Sequence, residues 1–349
     1  MRRIKIATLL LFTLLTSCLK EEAIKLNNGG HNPKTLPDGL NTSTPEAQAI
    51  DNSALDKAYN LFFSNKLPLS KGLIVMRNGF LVSEAYAQDL NDLTKIDNIQ
   101  SCTKSITALL IGIAIKDGLI ESVNDPIYKY LPEYFDNDIR KREISIRNCL
   151  SLQAGLASEG NKDSENMVNL DGSSLKFVLS KPMIADTGTI FQYSDLVPQL
   201  LAGVLQKVTP NGVEAYADKK LFQPLGIKKY KWEKTKDGIN IGAFSMFFTT
   251  RDLAKLGQVC LNNGSFNDIQ VIDKTWIDIS SKKQALNESY GYGFYVQKDA
   301  FTMRGNGGQF VYINPSKHLV ISYTASPYTG PELWGSTNEL IDLIVSSCK

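Results

Sequence analysis

Histidine is nearly absent from this chain, which has two copies among 349 residues. His31 lies in a polar segment near the amino terminus, and His318 lies between a turn and a strand-like run. A Ser-His-Asp triad needs a histidine as general base beside its serine, so a triad of this kind is nearly excluded. The same count argues against a zinc site built from histidines. Serine-based chemistry in this chain therefore needs a different base.

Cysteine is also scarce, and no two cysteines have a CxxC or other metal-site spacing. Apart from Cys18, the cysteines are Cys102, Cys149, Cys260 and Cys348. The sequence leaves a disulfide among these four open but favours buried free thiols. Cys102 is disfavoured as a nucleophile, because no histidine neighbours it in sequence and apolar surroundings raise a thiol pKa.

Charge of one sign does not accumulate, since 38 basic and 36 acidic residues give a net charge of +2. The charges are dispersed, and no basic block is interleaved with aromatic residues, so nothing indicates nucleic-acid binding.

A chain of this length forms one large domain or one domain with an insertion, and buries about three quarters of its unfolded surface. We therefore expect a fold that needs no metal ion, cofactor or disulfide.

A long membrane-spanning run is lacking, because the apolar residues 6–15 are too few to remain as a transmembrane helix. They follow a basic stretch, so residues 1–17 have the pattern of a signal peptide. The sequence Leu-Thr-Ser-Cys that ends at Cys18 resembles a bacterial lipoprotein cleavage box. That resemblance predicts a diacylglyceryl group on Cys18 and a lipid anchor in the bacterial cell envelope, on the periplasmic or the surface face of the outer membrane.

Residues 18–50 are rich in Asn, Gly, Pro and Thr and have little apolar periodicity, which predicts a flexible tether. The folded domain is predicted over residues 51–349. Strand-like runs cover residues 72–76, 80–86, 293–297, 308–313 and 319–325, and the first two flank an Asn-Gly hairpin turn. Helical patterns cover residues 52–65, much of 100–285, and 337–348.

This order of elements predicts an α+β fold with two lobes. An antiparallel sheet of about five strands, with the terminal helices on one face, is expected from residues 51–99 and 286–349. A large helical insert lobe is expected from residues 100–285.

Residues 101–118 form an apolar run of helical length that ends in Asp-Gly. Ser101 lies in its first turn, where free N–H groups and the helix dipole stabilise developing negative charge. Lys104 lies one turn later on the same face, within reach of the Ser101 hydroxyl. This is the layout of an activated nucleophile, although a serine that only caps the helix is the commoner alternative. Ser-x-x-Lys occurs elsewhere in the chain, but only here does it open a long buried helix.

Phe-Gln-Tyr-Ser-Asp, which contains Tyr193 and Asp195, precedes another helical pattern. A tyrosine at such a position can shuttle a proton to a leaving group, and a carboxylate two residues later can hold Lys104. Alone, Tyr-x-Asp is no evidence of function, because the chain has further copies that are best interpreted as surface residues.

Taken together, Ser101-Cys-Thr-Lys104 and Tyr193-Ser-Asp195 resemble motifs of the class C-like β-lactamase and penicillin-recognising serine hydrolase family. Residues 150–156 and 221–226 also match its segments in order, and the resemblance covers roughly residues 55–345. It implies the β-lactamase/transpeptidase-like fold, with Ser101 as nucleophile, Lys104 and Tyr193 as proton relay, and Asp195 orienting the lysine. The family usually has Asn where this chain has Asp195, and a carboxylate there raises the lysine pKa.

A third family motif, Lys/His-Thr/Ser-Gly, has its best match at Met303-Arg304-Gly305, followed by Asn306. This stretch resembles the esterase and 6-aminohexanoate-oligomer hydrolase branch of the family. By that resemblance, the backbone N–H groups of Ser101 and Asn306 form the oxyanion hole. The missing Lys/His argues against recognition of carboxylate-bearing β-lactams, with Arg304 as an alternative partner for a carboxylate.

The sequence therefore predicts a membrane-tethered serine hydrolase that acts through an acyl-enzyme and needs no cofactor. Its expected substrate is an ester, a small amide or a β-lactam, in that order. Two alternatives stay open: a D-alanyl-D-alanine carboxypeptidase-type cell-wall peptidase, and a non-catalytic module that binds a component of the envelope.

Overall fold

The computed structural model describes residues 29–87, 90–286, 288–326 and 333–349. The predicted signal peptide over residues 1–17 and the predicted lipidation site Cys18 lie outside these residues. In the described part of the chain, no helix is both long enough and apolar enough to span a membrane.

Eight strands of the described residues form one sheet, in the order β1-β4-β3-β13-β12-β11-β10, with β2 also paired to β4. Its strands are β1 (Gly29–Gly30), β2 (Asn41–Thr42), β3 (Ser70–Arg77), β4 (Phe80–Tyr86), β10 (Tyr295–Val296), β11 (Phe301–Arg304), β12 (Phe310–Asn314) and β13 (Leu319–Ala325). All neighbours are antiparallel except β2 and β4. Smaller sheets contain β5 (Asp97–Asn98), β6 (Lys231–Trp232) and β7 (Met246–Phe248), and β8 (Ser265–Phe266) with β9 (Ile269–Gln270).

The α-helices are α1 (Asn52–Phe62), α2 (Cys102–Lys116), α3 (Ile146–Leu150), α4 (Asn161–Asn169), α5 (Ser174–Leu179), α6 (Val197–Val208), α7 (Gly212–Ala217), α8 (Thr250–Leu261), α9 (Lys274–Ser280) and α10 (Leu333–Ser347). A single π-helical turn, Asp218–Phe222, follows α7 directly.

The side chains of β3 alternate between two apolar cores, as the two-residue period of a strand requires. Leu73 and Val75 pack in a core that also contains residues of α1 and α10. Ile74 and Met76 pack in the larger core, which contains α2 and α8. Helices therefore cover both faces of the sheet, and the predicted α+β class with terminal helices on one face is confirmed.

The hairpin between β3 and β4 forms at the predicted Asn-Gly turn. Asn78 and Gly79 have φ values of 51° and 85°, in the region that this pair adopts at low cost. The predicted strand over residues 293–297 is shorter in the structure, where β10 covers only Tyr295–Val296. The adjoining β11 then brings the chain back towards the start of α2.

The structure corrects the predicted flexible tether for residues 29–50. β1 and β2 pair with β4, Leu40 and Ile50 are buried, and Asp38 forms an ion pair with Arg251 of α8. Main-chain pairing and the long-range contacts of Arg251 contribute to holding this segment. Neither leaves an apolar period in the sequence, so composition alone does not predict them.

The predicted boundary between the lobes also differs from the structure. α8 lies within the range expected for the helical lobe, but it packs against β13, β12 and β3 of the main sheet. A glycine at position 257 permits this close packing, because an added Cβ would lie 2.5 Å from Val311.

Candidate active site

Ser101 stands at the start of α2, where the chain enters the larger core. Its φ and ψ of −66° and −4° are helical, and its side chain makes no capping hydrogen bond to the helix. The hydroxyl is therefore not occupied by the capping role that the sequence left open. The preceding residue, Gln100, has a φ of 50°, a left-handed conformation that non-glycine residues seldom adopt.

The Lys104 ammonium lies beside this serine and is 3% exposed. Its Nζ atom is 2.9 Å from the Ser101 Oγ, 2.5 Å from the Asp195 Oδ1 and 3.2 Å from the Ala243 carbonyl oxygen. Three acceptors thus match the three N–H donors of an ammonium group. Burial is the largest single influence and favours the neutral amine, but the contacts with Asp195 and Tyr193 together outweigh it, so the pKa of Lys104 lies above its usual value.

Asp195 is held from both sides. Its Oδ1 accepts from Lys104, and its Oδ2 accepts from the Ser164 hydroxyl at 2.7 Å. Ser164 belongs to α4 and is almost fully buried. Sequence reasoning missed this residue, because a single serine 31 positions before its partner carries no recognisable motif.

The Tyr193 ring lies beside Lys104, at the edge of the cluster that Lys104 forms with Ser101 and Asp195. The Lys104 Nζ lies 4.8 Å from the ring centre, and the side chain is 39% exposed. The ring stacks on Tyr295 with 6.4 Å between centres, and Tyr295 in turn contacts the edges of Tyr290 and Trp334. This aromatic wall limits the rotation of Tyr193 and exposes one side of it to the cavity.

The end of β11 packs directly against the start of α2. A Cβ added at Gly305 would lie 2.5 Å from the Ile99 carbonyl oxygen and 3.1 Å from the Ser101 nitrogen, so only glycine fits this close approach. Asn306 follows at the mouth of the cavity, and its side-chain oxygen accepts from the Gly307 N–H at 2.9 Å.

Arg304 lies on the other side of Gly305 and reaches towards α10. Its guanidinium donates to the Asn338 side chain at 2.7 Å and stacks over Trp334 at 5.1 Å. Burial lowers the pKa of this guanidinium. Trp334 and Asn338 were not predicted as a pair that positions Arg304, because α10 is distant from β11 in sequence.

A cavity of about 380 Å³ joins these residues. It is lined by Gln100, Ser101, Asn161, Tyr193, Asp195, Phe244, Tyr295, Arg304, Gly305, Asn306 and Trp334. The structure thus gathers every predicted site residue of the domain in one place, with Lys104 buried next to Ser101.

Cys102 follows Ser101 directly but does not line this cavity. It is completely buried, its sulfur faces the Gln309 carbonyl oxygen, and burial raises the pKa of its thiol. Cys149, Cys260 and Cys348 are also buried free thiols, as the sequence favours. Among the described residues, no group of three or more His, Cys, Asp or Glu side chains could hold a metal ion.

Comparison with known proteins decides the family. The family model described as Beta-lactamase matches residues 71–346, which is most of the chain. The chain belongs to the beta-lactamase family. The predicted β-lactamase/transpeptidase-like fold is confirmed. The prediction that the protein is a serine hydrolase is also confirmed.

Relatives of this beta-lactamase family member have several names. A Salmonella typhimurium protein provisionally named D-alanyl-D-alanine carboxypeptidase is 20% identical, over 85% of this chain and 90% of that protein. A structure provisionally named 6-aminohexanoate-dimer hydrolase, from Bacillus anthracis, has a TM-score of 0.72 and 18% identity, over 92% and 90% of the two chains. A family VIII carboxylesterase has a TM-score of 0.64 and 16% identity, over 86% and 99%. At these identities the structural matches establish the fold.

Proposed function

We propose that this protein hydrolyses an ester or small amide through an acyl-enzyme on Ser101. The observation that carries the proposal is the 2.9 Å contact between the Ser101 Oγ and the Lys104 Nζ beside an open cavity. The Ser101 hydroxyl is free of a capping bond, so it is available to attack a carbonyl carbon.

Tyr193 completes the proton relay with Lys104. The three acceptors around Lys104 suit a cation, and a cation that donates to the Ser101 Oγ cannot take its proton in the same step. The Ser101 proton therefore passes to the Tyr193 oxygen as the phenolic proton of Tyr193 passes to the leaving group, so Tyr193 stays neutral, while the positive charge of Lys104 stabilises the negative charge that develops on the oxygens. In deacylation, the attacking water gives a proton to Tyr193 as Tyr193 returns one to the Ser101 Oγ, and the acyl group is released.

The backbone N–H groups of Ser101 and Asn306 are the proposed oxyanion hole. Ser101 begins α2, so its amide is one of the unpaired donors of the helix start. Gly305 allows the chain at Asn306 to lie against this helix start. Two amide donors in this arrangement would stabilise the tetrahedral intermediate.

An ester is the first proposed substrate, followed by a small amide and then a β-lactam. The cavity has Arg304 where the family motif has Lys or His, and Arg304 is engaged by Asn338 and Trp334. This arrangement argues for a site that does not depend on the carboxylate of a β-lactam.

The deciding experiment measures hydrolysis of 4-nitrophenyl butyrate by the full chain and by Ser101→Ala. We expect the variant to lose at least about 99.9% of the rate, because loss of a nucleophile removes covalent catalysis. Ser173→Ala is the matched control, since Ser173 and Lys176 share the same spacing but lie outside this cavity. A Ser101→Ala rate equal to that of the wild type would contradict the proposal.

A D-alanyl-D-alanine carboxypeptidase is the second candidate, favoured by the names of the sequence relatives. Release of D-alanine from an acyl-D-Ala-D-Ala peptide, without hydrolysis of the ester, would replace the first candidate with this one. Saturable binding of such a peptide with no acyl-enzyme in either assay would support the non-catalytic module.

We also propose that the protein is lipid-anchored in the bacterial cell envelope through Cys18. Since β1 begins at Gly29, the chain from Cys18 to the sheet reaches at most about 40 Å. The domain would therefore stay close to the membrane surface. Incorporation of a radiolabelled fatty acid that disappears in Cys18→Ser would support the anchor, and unchanged incorporation would contradict it.

A further inference from the structure

A second cavity of about 400 Å³ adjoins the one that contains Ser101. The two share Gln100, Asn161, Asp195, Phe244 and Asn306 as lining residues. A substrate held at Ser101 can therefore extend from the first cavity into the second. Tyr193 and Arg304 line only the first cavity, whereas Glu165 and Glu233 line only the second.

The lining of the second cavity is polar and carries negative charge. Besides the shared residues, it contains Asn98, Ser164, Glu165, Val168, Asn169, Glu233 and Ser245. No lysine or arginine among the described residues belongs to this lining. The amide side chains of this lining can hydrogen-bond to a polar group, and an aromatic ring such as that of Phe244 can attract a cation.

Two of the three carboxylates that line this cavity already have a cation beside them. Asp195 is paired with Lys104, and Glu233 is paired with Lys231 at 2.6 Å. Glu165 is exposed, and it has neither an ion pair nor a hydrogen bond within the described ranges of the chain. Its neighbour Lys162 on α4 pairs with Glu159 instead.

We propose that the second cavity takes the acyl part of the substrate, and that Glu165 selects acyl groups that carry a positively charged amine. This inference rests on the proposed function, in which Tyr193 protonates the leaving group. Since Tyr193 lines only the first cavity, the leaving group occupies that cavity and the acyl chain extends into the second. Glu165 is there a specificity-determining residue, and its carboxylate pairs with the amine that enters.

A pair of isosteric esters tests this charge preference on the full chain. The 4-nitrophenyl esters of 4-(trimethylammonio)butanoic acid and 5,5-dimethylhexanoic acid have the same acyl shape and differ by one positive charge. We expect the wild type to favour the cationic ester by about threefold in kcat/KM, because water weakens a charge pair with an exposed carboxylate. Glu165→Gln should bring the ratio close to one, and added salt should reduce the wild-type ratio.

Glu143→Gln provides the matched control, because it removes the same charge from an exposed residue that lines neither cavity. It should leave the ratio of the two rates unchanged. A wild-type ratio of one or less, or a ratio that Glu165→Gln does not alter, would overturn the inference and leave the proposed function intact. No turnover of either ester, together with no acyl-enzyme on Ser101, would overturn both.

Discussion

At the scale of single residues, Asp195 is the charged partner of Lys104. The two side chains are in direct contact, and Lys104 is buried where an unpaired cation would be costly. The carboxylate stands where the resembling family motif has Asn, so it is a departure of this chain from that motif. In the proposed mechanism, it favours the Lys104 cation and leaves Tyr193 as the acceptor of the Ser101 proton.

Asp195→Asn should change the pH profile of the reaction. The charge of Asp195 raises the Lys104 pKa against the effect of burial, so the variant leaves burial dominant and lowers that pKa. Activity that needs the Lys104 cation should then fall at a lower pH than in the wild type. The measurement is kcat/KM for a 4-nitrophenyl ester between pH 6 and roughly 10.4, the ordinary lysine pKa. An alkaline limb at the same pH in both proteins would show that Asp195 does not control this proton.

Ser164 acts one step further from the substrate, as a residue that positions Asp195. Ser164→Ala removes a hydrogen bond to a carboxylate, an interaction worth about 1.5–3 kcal/mol. We expect kcat/KM to fall about tenfold, with the alkaline limb displaced in the same direction as in Asp195→Asn, since Asp195 becomes free to turn away from Lys104.

Ser164→Thr keeps the hydroxyl and should restore most of the rate. Ser180→Ala, which removes an exposed serine hydroxyl elsewhere, is the control and should behave as the wild type. A Ser164→Ala protein with wild-type kinetics would assign Ser164 to packing only.

At the scale of elements, the site forms where the end of β11 meets the start of α2. α2 brings Ser101 and Lys104 together through its own helical period, and Gly305 lets the strand approach without a side chain in between. α4 and α10 complete the arrangement from outside, through Ser164 and Asn338. Apart from the Ser101–Lys104 pair, each of these contacts joins elements that are far apart in sequence.

Gly305→Ala should separate β11 from the helix start. The added Cβ would lie 2.5 Å from the Ile99 carbonyl oxygen, which is backbone and cannot turn away. We expect ester hydrolysis to fall by more than about 100-fold, because the displaced strand would remove the proposed oxyanion donor at Asn306.

Gly335→Ala is the matched control for this strand variant. It adds the same methyl group at an exposed position of α10, where nothing lies within 4 Å. That variant should keep the wild-type rate. Full activity in Gly305→Ala would show that the close approach is not needed for catalysis.

At the scale of the whole molecule, Arg251 ties the amino-terminal segment to the domain. From α8 it contacts Glu84 of β4 at 2.8 Å, Asp38 at 2.9 Å and the Lys34 carbonyl oxygen at 2.6 Å. Glu84 is 2% exposed and also accepts from the Lys34 N–H and the Tyr86 hydroxyl. This network makes residues 34–38 part of the fold.

Arg251→Met should destabilise the entire domain. It leaves the Glu84 carboxylate buried without its cation, which costs about 3–5 kcal/mol. Thermal unfolding should show a Tm lower by about 5–15 °C. Lys66→Met breaks an exposed ion pair with Glu339 and should change the Tm by no more than about 3 °C. A similar small change in Arg251→Met would mean that the amino-terminal segment contributes little to stability.

Much of the fold was predictable from local patterns, and the missed parts share a physical cause. Apolar runs of strand length predicted β3, β4, β12 and β13, which are buried on both faces, and helical apolar periods predicted the terminal helices. The pairing of β1 and β2 with β4 depends on main-chain hydrogen bonds, which any side-chain composition can make. The segment from 29 to 50 was therefore predicted as a tether.

The sequence by itself determined that the proposed nucleophile, Ser101, has a lysine beside it. Ser101 and Lys104 are in contact because residues three apart lie about one helical turn apart on the same face. The positions of the two histidines argue against a Ser-His-Asp triad as the alternative. Tertiary structure alone decided what surrounds that pair. Ser164 and Glu165 belong to no recognisable sequence motif, and only the folding of distant elements places them and Trp334 around Ser101, since a contact between such elements is set by packing rather than by local sequence.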